Sequence, residues 1–158
     1  MQHVGADLPS SHSGRGMDHF AIPPGRFLLS AGLDDAIRRS CAAPQRRAKE
    51  AHPVFAFVAA LGGMGARVGD VCRALGLAFD EGAVLGRCRI DYDAPLTVDT
   101  GYDVAARVVS LERKASRRFG AADHLTLGMT VSAAGRPHAR VSLTTIMPAP
   151  GPAVQAPA

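Results

Sequence analysis

The feature that most constrains this chain is an apolar helical segment that stands directly before a series of segments with strand periodicity. The apolar segment begins at Pro53 and ends in a glycine cluster at Gly65. Its hydrophobic residues occupy the whole circumference of a helix, so this helix must be buried on most sides. From Val84 onward the periodicity changes to two, as in strands with one buried face. This order predicts a sheet wrapped around one central helix.

The predicted sheet contains four or five antiparallel strands. Four segments carry the alternation of apolar and polar residues, and they cover residues 86–92, 104–111, 125–132 and 139–145. The segment 133–136, Ala-Ala-Gly-Arg, is a predicted hairpin turn between the last two strands. A short apolar run at 26–31 adds a first strand. We therefore expect an α+β fold in which half-buried strands cover the apolar helix.

Three helices are predicted. The first begins at Asp34 or Asp35, because a carboxylate caps the free N–H groups of a first turn, and it runs to Ala42. The central helix begins at Pro53, since a missing N–H costs nothing in a first turn. A third, short helix covers residues 68–75.

The glycines at the end of the central helix, Gly62, Gly63 and Gly65, weaken it intrinsically. Each costs about 1 kcal/mol of helix stability relative to alanine. Glycine is favoured at such positions where the backbone packs closely or where the helix ends. We expect one of these two reasons to apply here.

One globular domain is predicted. The 158 residues, of which 47% are apolar, are enough for one hydrophobic core. Residues 1–18 are rich in Gly, Ser and His, and residues 150–158 in Pro and Ala, so we expect disordered tails around a domain at 19–149. No apolar run reaches membrane-spanning length and the N-terminus does not resemble a secretory signal, so we expect a cytoplasmic protein without a membrane partner.

The three cysteines predict neither a disulfide framework nor a zinc site. Cys41, Cys72 and Cys88 are odd in number and lack paired spacing. We expect reduced thiols that pack as small buried hydrophobic residues. The sequence predicts neither a metal site nor a cofactor.

The chain carries a formal charge of +4, and its basic residues form clusters at 38–39, 46–49 and 113–118. Such clusters suit nucleic acid, an acidic protein or the phosphates of a cofactor, and they are equally typical of solvated surface loops. Nucleic acid is disfavoured, because the six Phe and two Tyr residues are not interleaved with the basic clusters as a stacking platform requires.

The segment 87–96, Arg-Cys-Arg-Ile-Asp-Tyr-Asp-Ala-Pro-Leu, follows the predicted central helix and carries a resemblance. Together with the order of elements over residues 25–148, it resembles the MaoC-like family of (R)-specific enoyl-thioester hydratases and 3-hydroxyacyl-thioester dehydratases. The matching positions of the family strand are Ile90, Tyr92, Pro95 and Leu96. The resemblance implies the hot-dog fold, an antiparallel sheet around a central helix.

The resemblance also implies a chemistry that this chain carries only in part. Family enzymes add or remove water with an Asp and a His, while N–H groups at the start of the central helix polarise the thioester carbonyl. An ungapped alignment on Pro53 places Asp34 at the aspartate, but Arg39 at the histidine. An arginine cannot shuttle protons at neutral pH, so the dyad is not intact.

The family's His-Gly pair at the start of the central helix is also replaced, here by Ala56 and Phe57. These departures resemble the degenerate partner half of family dehydratases, in which one hot-dog half supplies Asp and His and the other shapes the acyl tunnel. The segment 51–57 is similar to the helix start of such partners.

The candidate catalytic residues are Asp34 and His52. Neutral imidazole at His52 suits a general base, although a histidine before a buried helix also serves as a capping or packing residue. Asp34 has the alternative role of a helix cap. Asp123 and His124 form a second acid–base pair, but neighbouring strand residues point to opposite faces, which favours a structural use.

The candidate ligand-binding residues lie in the basic segment between two predicted strands. We assign Arg113, Lys114, Arg117 and Arg118 to the phosphates of coenzyme A or to an acidic carrier protein, because guanidinium groups bind phosphate in pairs of hydrogen bonds. A charged and soluble hairpin tip explains the same residues.

Two functional hypotheses follow. In the first, the chain binds an acyl-CoA or acyl-carrier-protein thioester as the non-catalytic subunit of a hydratase or dehydratase. In the second, it is a self-sufficient homodimeric hot-dog enzyme, either a hydratase that uses Asp34, Asp35 or His52 or a thioesterase with a carboxylate that activates water. Both require a homodimer, or a heterodimer with a second hot-dog subunit, to cover an exposed sheet edge.

Overall fold

The structure is a computed structural model, and it describes residues 20–149. The two predicted tails, 1–18 and 150–158, therefore lie outside the described residues. The strands are β1 Gly25–Leu29, β2 Val84–Tyr92, β3 Thr100–Ser116, β4 Gly120–Ala133 and β5 Arg136–Pro148. The helices are α1 Ala31–Ser40, α2 Phe55–Gly63 and α3 Val68–Ala74, and one turn of 3₁₀-helix covers Phe79–Glu81.

The five strands form one antiparallel sheet in the order β1-β3-β4-β5-β2. Helix α2 contacts all five strands, so it is the central helix that the sheet surrounds. The predicted α+β architecture, with a central apolar helix and a surrounding antiparallel sheet, is confirmed. The turn between β4 and β5 is also confirmed: Ala134 and Gly135 have φ values of 49° and 74°, as a two-residue hairpin requires.

The hydrophobic core lies between α2 and the inner face of the sheet. Along β4 and β5 every second residue is buried, which confirms the predicted alternation. The inward residues are Leu125, Leu127, Met129, Val131, Ala139, Val141, Leu143 and Thr145. The largest side chains packed among them are Phe55 from α2 and Tyr102 from β3, both without exposed surface.

The glycine cluster of α2 marks both a close contact and the helix end. A Cβ atom on Gly63 would lie 2.6 Å from Val104 Cγ2, so the helix touches the sheet at this residue. Gly65 is in similarly close contact with the backbone of Pro23. The helix ends at Gly63, so both expectations for these glycines are met.

The start of α2 differs slightly from the prediction. The helix begins at Phe55 rather than Pro53. The reason is that the first turn is tightened: the N–H of Phe55 donates to the carbonyl of His52 and that of Ala56 to the carbonyl of Pro53.

The start of α1 was predicted wrongly. Its N-cap is Ser30, whose hydroxyl accepts a hydrogen bond of 3.2 Å from the N–H of Leu33. Helix α1 therefore begins directly after β1, at Ala31, and neither Asp34 nor Asp35 caps it. Serine is as good a cap as aspartate, so residue preference alone did not separate these positions.

The prediction that every strand is half-buried is wrong for β2. Only Ile90 in this strand is partly buried, and its other residues are exposed. Within residues 20–149, strand β2 is an edge of the sheet and pairs only with β5. Helix α2 covers only part of this strand, so Val84, Leu85 and Tyr92 keep exposed apolar surface.

No single helix within residues 20–149 is long and apolar enough to cross a membrane. Helices α2 and α3 satisfy such a criterion only jointly, across a bend of 47°, and α2 is the core helix of the sheet.

Candidate functional site

A groove lies between the start of α2 and the end of β2. Its walls are residues 50–53 and residues 92–96, and its volume is about 370 Å³. Two hydrogen bonds join the walls: the N–H of Ala51 donates to the carbonyl of Leu96 at 2.8 Å, and the Tyr92 hydroxyl donates to the carbonyl of Pro53 at 2.8 Å. The segment that carried the sequence resemblance therefore faces the predicted catalytic residue His52.

His52 is held by the backbone at the start of α2. Its Nδ1 accepts a hydrogen bond of 3.2 Å from the N–H of Val54, which is the capping role considered as an alternative. In the neutral ring the proton is then on Nε2, which lies 4.0 Å from the Sγ atom of Cys41. In this arrangement His52 presents a donor rather than a base on its outer side.

The N–H groups at the start of α2 are already engaged. Those of Phe55, Ala56 and Phe57 donate to the carbonyls of residues 52, 53 and 54. The oxyanion-binding role that the resemblance implies for this helix start needs free N–H groups. In this conformation these N–H groups are occupied by carbonyl groups of the chain's own backbone.

Asp34 is the centre of a buried ionic network. Its side chain has no exposed surface. Oδ2 accepts from Arg38 Nε at 2.8 Å and from Arg46 Nη1 at 2.9 Å, and Oδ1 accepts from the backbone N–H of His52 at 2.6 Å. The network thus ties α1 to the following segment and to the start of α2.

The environment of Asp34 favours the charged form of its carboxylate. Burial raises the pKa of Asp34, but the His52 N–H and the guanidinium groups of Arg38 and Arg46 more than offset this and hold the pKa below its ordinary value. A catalytic acid or base needs a pKa close to the working pH. The geometry therefore supports a positioning role for Asp34, and its catalytic assignment stays a prediction.

Sequence reasoning did not assign a role to Arg38 and Arg46 in this network. The spacing of Asp34 and Arg38, four residues apart on one helix, is a signal that was available, because such residues lie on the same helix face. No comparable signal existed for Arg46, which reaches the carboxylate from the segment after α1.

The predicted phosphate-binding residues lie at the tip of the β3–β4 hairpin. Arg113 forms two hydrogen bonds with the buried Asp123, and Lys114 pairs with Glu112 at 2.8 Å. The guanidinium of Arg118 lies 5.3 Å from the centroid of the Phe119 ring. Arg117 is exposed in the turn beside it. Three of the four predicted residues thus have partners inside the chain.

Asp123 and His124 lie in β4, not in a loop. Asp123 is buried on the inner side, and His124 is partly exposed on the outer side. The pair does not converge, as expected for adjacent strand residues, and Asp123 has the structural role of holding Arg113.

The three cysteines are free thiols, as predicted, but they do not all pack as buried residues. Cys72 is buried, and burial raises the pKa of its thiol to about 11, against the opposing influence of Arg73. Cys41 and Cys88 are exposed. In the described part of the chain no three His, Cys, Asp or Glu side chains converge as a metal site.

Comparison with known proteins identifies the fold. No protein-family model and no curated protein matches the sequence. One similar solved structure is the ChsH1-ChsH2 complex from Mycobacterium tuberculosis, at 14% identity over 82% of this chain and 86% of that chain, with a TM-score of 0.63. Another is the truncated HadBC (3R-hydroxyacyl-ACP dehydratase) complex from the same organism, at 16% identity over 80% and 93%, with a TM-score of 0.59.

A probable thioesterase from Bartonella henselae is similar at a TM-score of 0.52, with 9% identity over 80% of this chain and 90% of that chain. The chain has the hot-dog fold. The hot-dog architecture expected for residues 25–148 is thereby confirmed, and α2 is its central helix. Of these similar structures, HadBC is a 3R-hydroxyacyl-ACP dehydratase and the Bartonella henselae protein is a probable thioesterase.

Proposed function

We propose that this chain is a MaoC-like hot-dog subunit that binds an acyl thioester and completes a hydratase or dehydratase with a second hot-dog subunit. In this proposal the second subunit supplies the proton-transfer residues. The acyl thioester is carried by coenzyme A or by an acyl-carrier protein. The reaction is addition of water to an enoyl thioester or its reversal.

The observation that carries the proposal is the state of Asp34. This residue occupies the position that the resemblance assigns to the catalytic aspartate, yet it is buried and bound to two arginines and a backbone N–H. Arg39 occupies the position of the histidine and cannot accept a proton at neutral pH. The site retains a carboxylate for structure, while it lacks the couple that moves a proton.

The need for a second subunit is supported by the uncovered strand β2. Of the six most exposed large apolar side chains in residues 20–149, three belong to β2: Val84, Leu85 and Tyr92. An edge strand of nine residues with such side chains is a favourable surface for pairing with another sheet. The groove beside His52 opens at the same edge, so a partner on β2 would form its missing wall.

The test compares the chain alone with the chain in a complex. Purified chain is assayed with a short enoyl-CoA, and loss of the conjugated thioester absorbance measures hydration. The same assay is then run after addition of a co-expressed hot-dog subunit that carries an Asp/His pair. We expect acyl-CoA binding without turnover by the chain alone, and turnover in the mixture.

Turnover by the chain alone that is lost in His52→Ala would overturn the proposal and establish the self-sufficient enzyme instead. His124→Ala is the matched control, because His124 lies on the outer face of β4, away from the groove. Hydrolysis of a saturated acyl-CoA by the chain alone would likewise contradict the proposal, in favour of a thioesterase. The proposal places the chain in the cytoplasm, where free thiols remain reduced.

A further inference from the structure

A second and larger cavity lies on the other side of the Asp34 network. It is lined by residues of α1 and of the segment 42–48, it is open to solvent on one side, and its volume is about 630 Å³. Its polar lining consists of Arg38, Arg39 and Arg46, with Asp35 and the amide of Gln45, and the remaining lining residues are alanines. This volume is in the range of sites that hold a small ligand.

The arginines of this cavity are held in place to different extents. All three side-chain nitrogens of Arg38 are used: Nε binds Asp34, Nη1 binds the carbonyl of Pro44, and Nη2 binds the carbonyl of Glu50. Arg46 uses only Nη1, which contacts Asp34, Asp35 and the carbonyl of Ala31. Arg46 is therefore fixed in orientation, while its Nε and Nη2 have no acceptor within residues 20–149.

Arg39 is not held by the chain. It is exposed, and its side chain makes no hydrogen bond within the part of the chain that the structure describes. Together with Nε and Nη2 of Arg46 and the amide of Gln45, it provides donors that a ligand can use. The three guanidinium groups outnumber the two carboxylates, those of Asp34 and Asp35. The site therefore has a net positive charge and is unsuited to a cation.

The backbone of the segment 42–48 is strained at both ends. Ala42 and Ala48 have φ values of 52° and 51°. For residues with a Cβ atom this left-handed conformation costs about 1 kcal/mol each. Both alanines line the cavity, so the strained backbone shapes the wall that faces α1. Strain of this kind is retained where the surrounding structure over-determines it, and it is frequent at ligand sites.

We infer that this cavity is a phosphate-binding site that takes a diphosphate or a phosphate ester through Arg39, Arg46 and Gln45. Guanidinium groups bind phosphate oxygens in parallel hydrogen bonds, and a fixed guanidinium loses little freedom on binding. The inference does not rest on the proposed function, because recognition of phosphate requires no thioester. It assigns the anion site to α1 and the segment after it, whereas the basic hairpin tip has its side chains largely paired within the chain.

The first experiment uses inorganic pyrophosphate as the probe, titrated calorimetrically into the full chain at constant ionic strength. We expect saturable binding that Arg39→Gln weakens by roughly tenfold, the loss that corresponds to one charge-assisted hydrogen bond. The Arg39 side chain has no hydrogen-bond partner in the described residues, so this substitution should leave the fold intact, and a thermal melt of the free variant verifies this.

The matched control is Arg47→Gln. It removes the same charge from another exposed arginine, eight residues further along the chain and outside the cavity lining. Binding should be unchanged in this variant. Equal weakening by both substitutions, or no saturable binding to the unaltered chain, would overturn the inference, because the attraction would then be non-specific or absent.

The second experiment separates the sources of the phosphate. Coenzyme A and 3′-dephospho-coenzyme A are titrated in the same way. Binding of coenzyme A that depends on Arg39 identifies the acyl carrier as the phosphate source. Binding of pyrophosphate but not of coenzyme A still supports the phosphate site and counts separately against a coenzyme A thioester as the substrate.

Discussion

Asp34 is an example of a residue whose identity matches a catalytic position while its surroundings give it another role. The carboxylate is buried among Arg38, Arg46 and the N–H of His52, and it joins α1 to the start of α2. Buried ion pairs contribute little net stability when complete, but removing one partner leaves the others uncompensated. The network should therefore be sensitive to loss of the single negative charge at its centre.

We expect Asp34→Asn to lower the free energy of unfolding at neutral pH by about 3 kcal/mol, because two partly buried guanidinium groups lose their anion. Urea unfolding measures this change. Asp35→Asn is the matched control: Asp35 also pairs with Arg46, but its side chain is 46% exposed, so the loss should stay below about 1 kcal/mol. Equal losses would show that burial of Asp34 is not what makes the network sensitive.

The effect of Asp34 should also depend on pH. Its pKa is lower in the folded chain than its ordinary value, so the folded state binds this proton less readily than the unfolded state. The stabilisation is fully present above the ordinary carboxyl pKa of about 4 and is lost as the pH falls through the folded-state pKa. The difference in unfolding free energy between the natural chain and Asp34→Asn should thus shrink below about pH 4. A constant difference down to the acid transition would contradict this.

For single residues, the sequence indicated which side chains could cap a helix or carry a charge, but it was less informative about the role that each of them has in the fold. The capping alternative for His52 is confirmed, because its Nδ1 accepts a hydrogen bond from the N–H of Val54. The cap of α1 was misplaced from Ser30 to Asp34 or Asp35, since these residue types cap equally well. The partnership of Asp34 with Arg46 depends on a chain reversal that no local pattern contains.

Helix α2 is positioned by a residue that has no side chain. The helix approaches β3 most closely at Gly63, where a Cβ atom would lie 2.6 Å from Val104 Cγ2 and 3.0 Å from Phe27 Cβ. Both neighbours belong to the sheet, so they cannot move without disturbing it. The close contact holds the apolar helix against the inner face of the sheet.

We expect Gly63→Ala to destabilise the chain by about 1–3 kcal/mol through overpacking, even though alanine favours helix. Gly32→Ala is the opposite case: Gly32 lies in α1, and a Cβ atom there meets nothing within 4 Å. This control should be neutral or stabilising by up to about 1 kcal/mol. Thermal or urea unfolding of both variants tests the pair, and equal effects would argue against a tight contact at Gly63.

Elements that depend on local periodicity were predicted well. The inward residues of β4 and β5 followed directly from alternation, because successive strand side chains point to opposite faces. Strand β2 has the same alternation but not the same burial. Alternation indicates which face is apolar, whereas the cover over that face comes from elements elsewhere in the chain.

For the whole molecule, the uncovered face of β2 leads to a prediction about assembly. Leu85 is 58% exposed at this edge, and Leu28 is 70% exposed on β1 at the opposite edge. We expect the chain to associate through β2, and Leu85→Lys to weaken that association at least roughly tenfold by placing a charge in the contact. Leu28→Lys should leave the association unchanged.

Analytical ultracentrifugation over a range of concentrations measures this association, with the chain alone and with a second hot-dog subunit. Both leucines are exposed, so neither substitution disturbs the core. Dissociation by Leu28→Lys instead of Leu85→Lys would place the contact on β1 and would remove the support that β2 gives to the proposed function.

Local information was sufficient for the central helix, most strands, the hairpin turn and, through the resemblance, the hot-dog fold. These features depend on periodicity and turn chemistry, which neighbouring residues express together. The burial of Asp34, the orientation of His52 and the cavity lined by Arg39 and Arg46 could not be inferred in this way. They arise from contacts between segments that are separated along the chain, so they exist only once the helices and the sheet have packed.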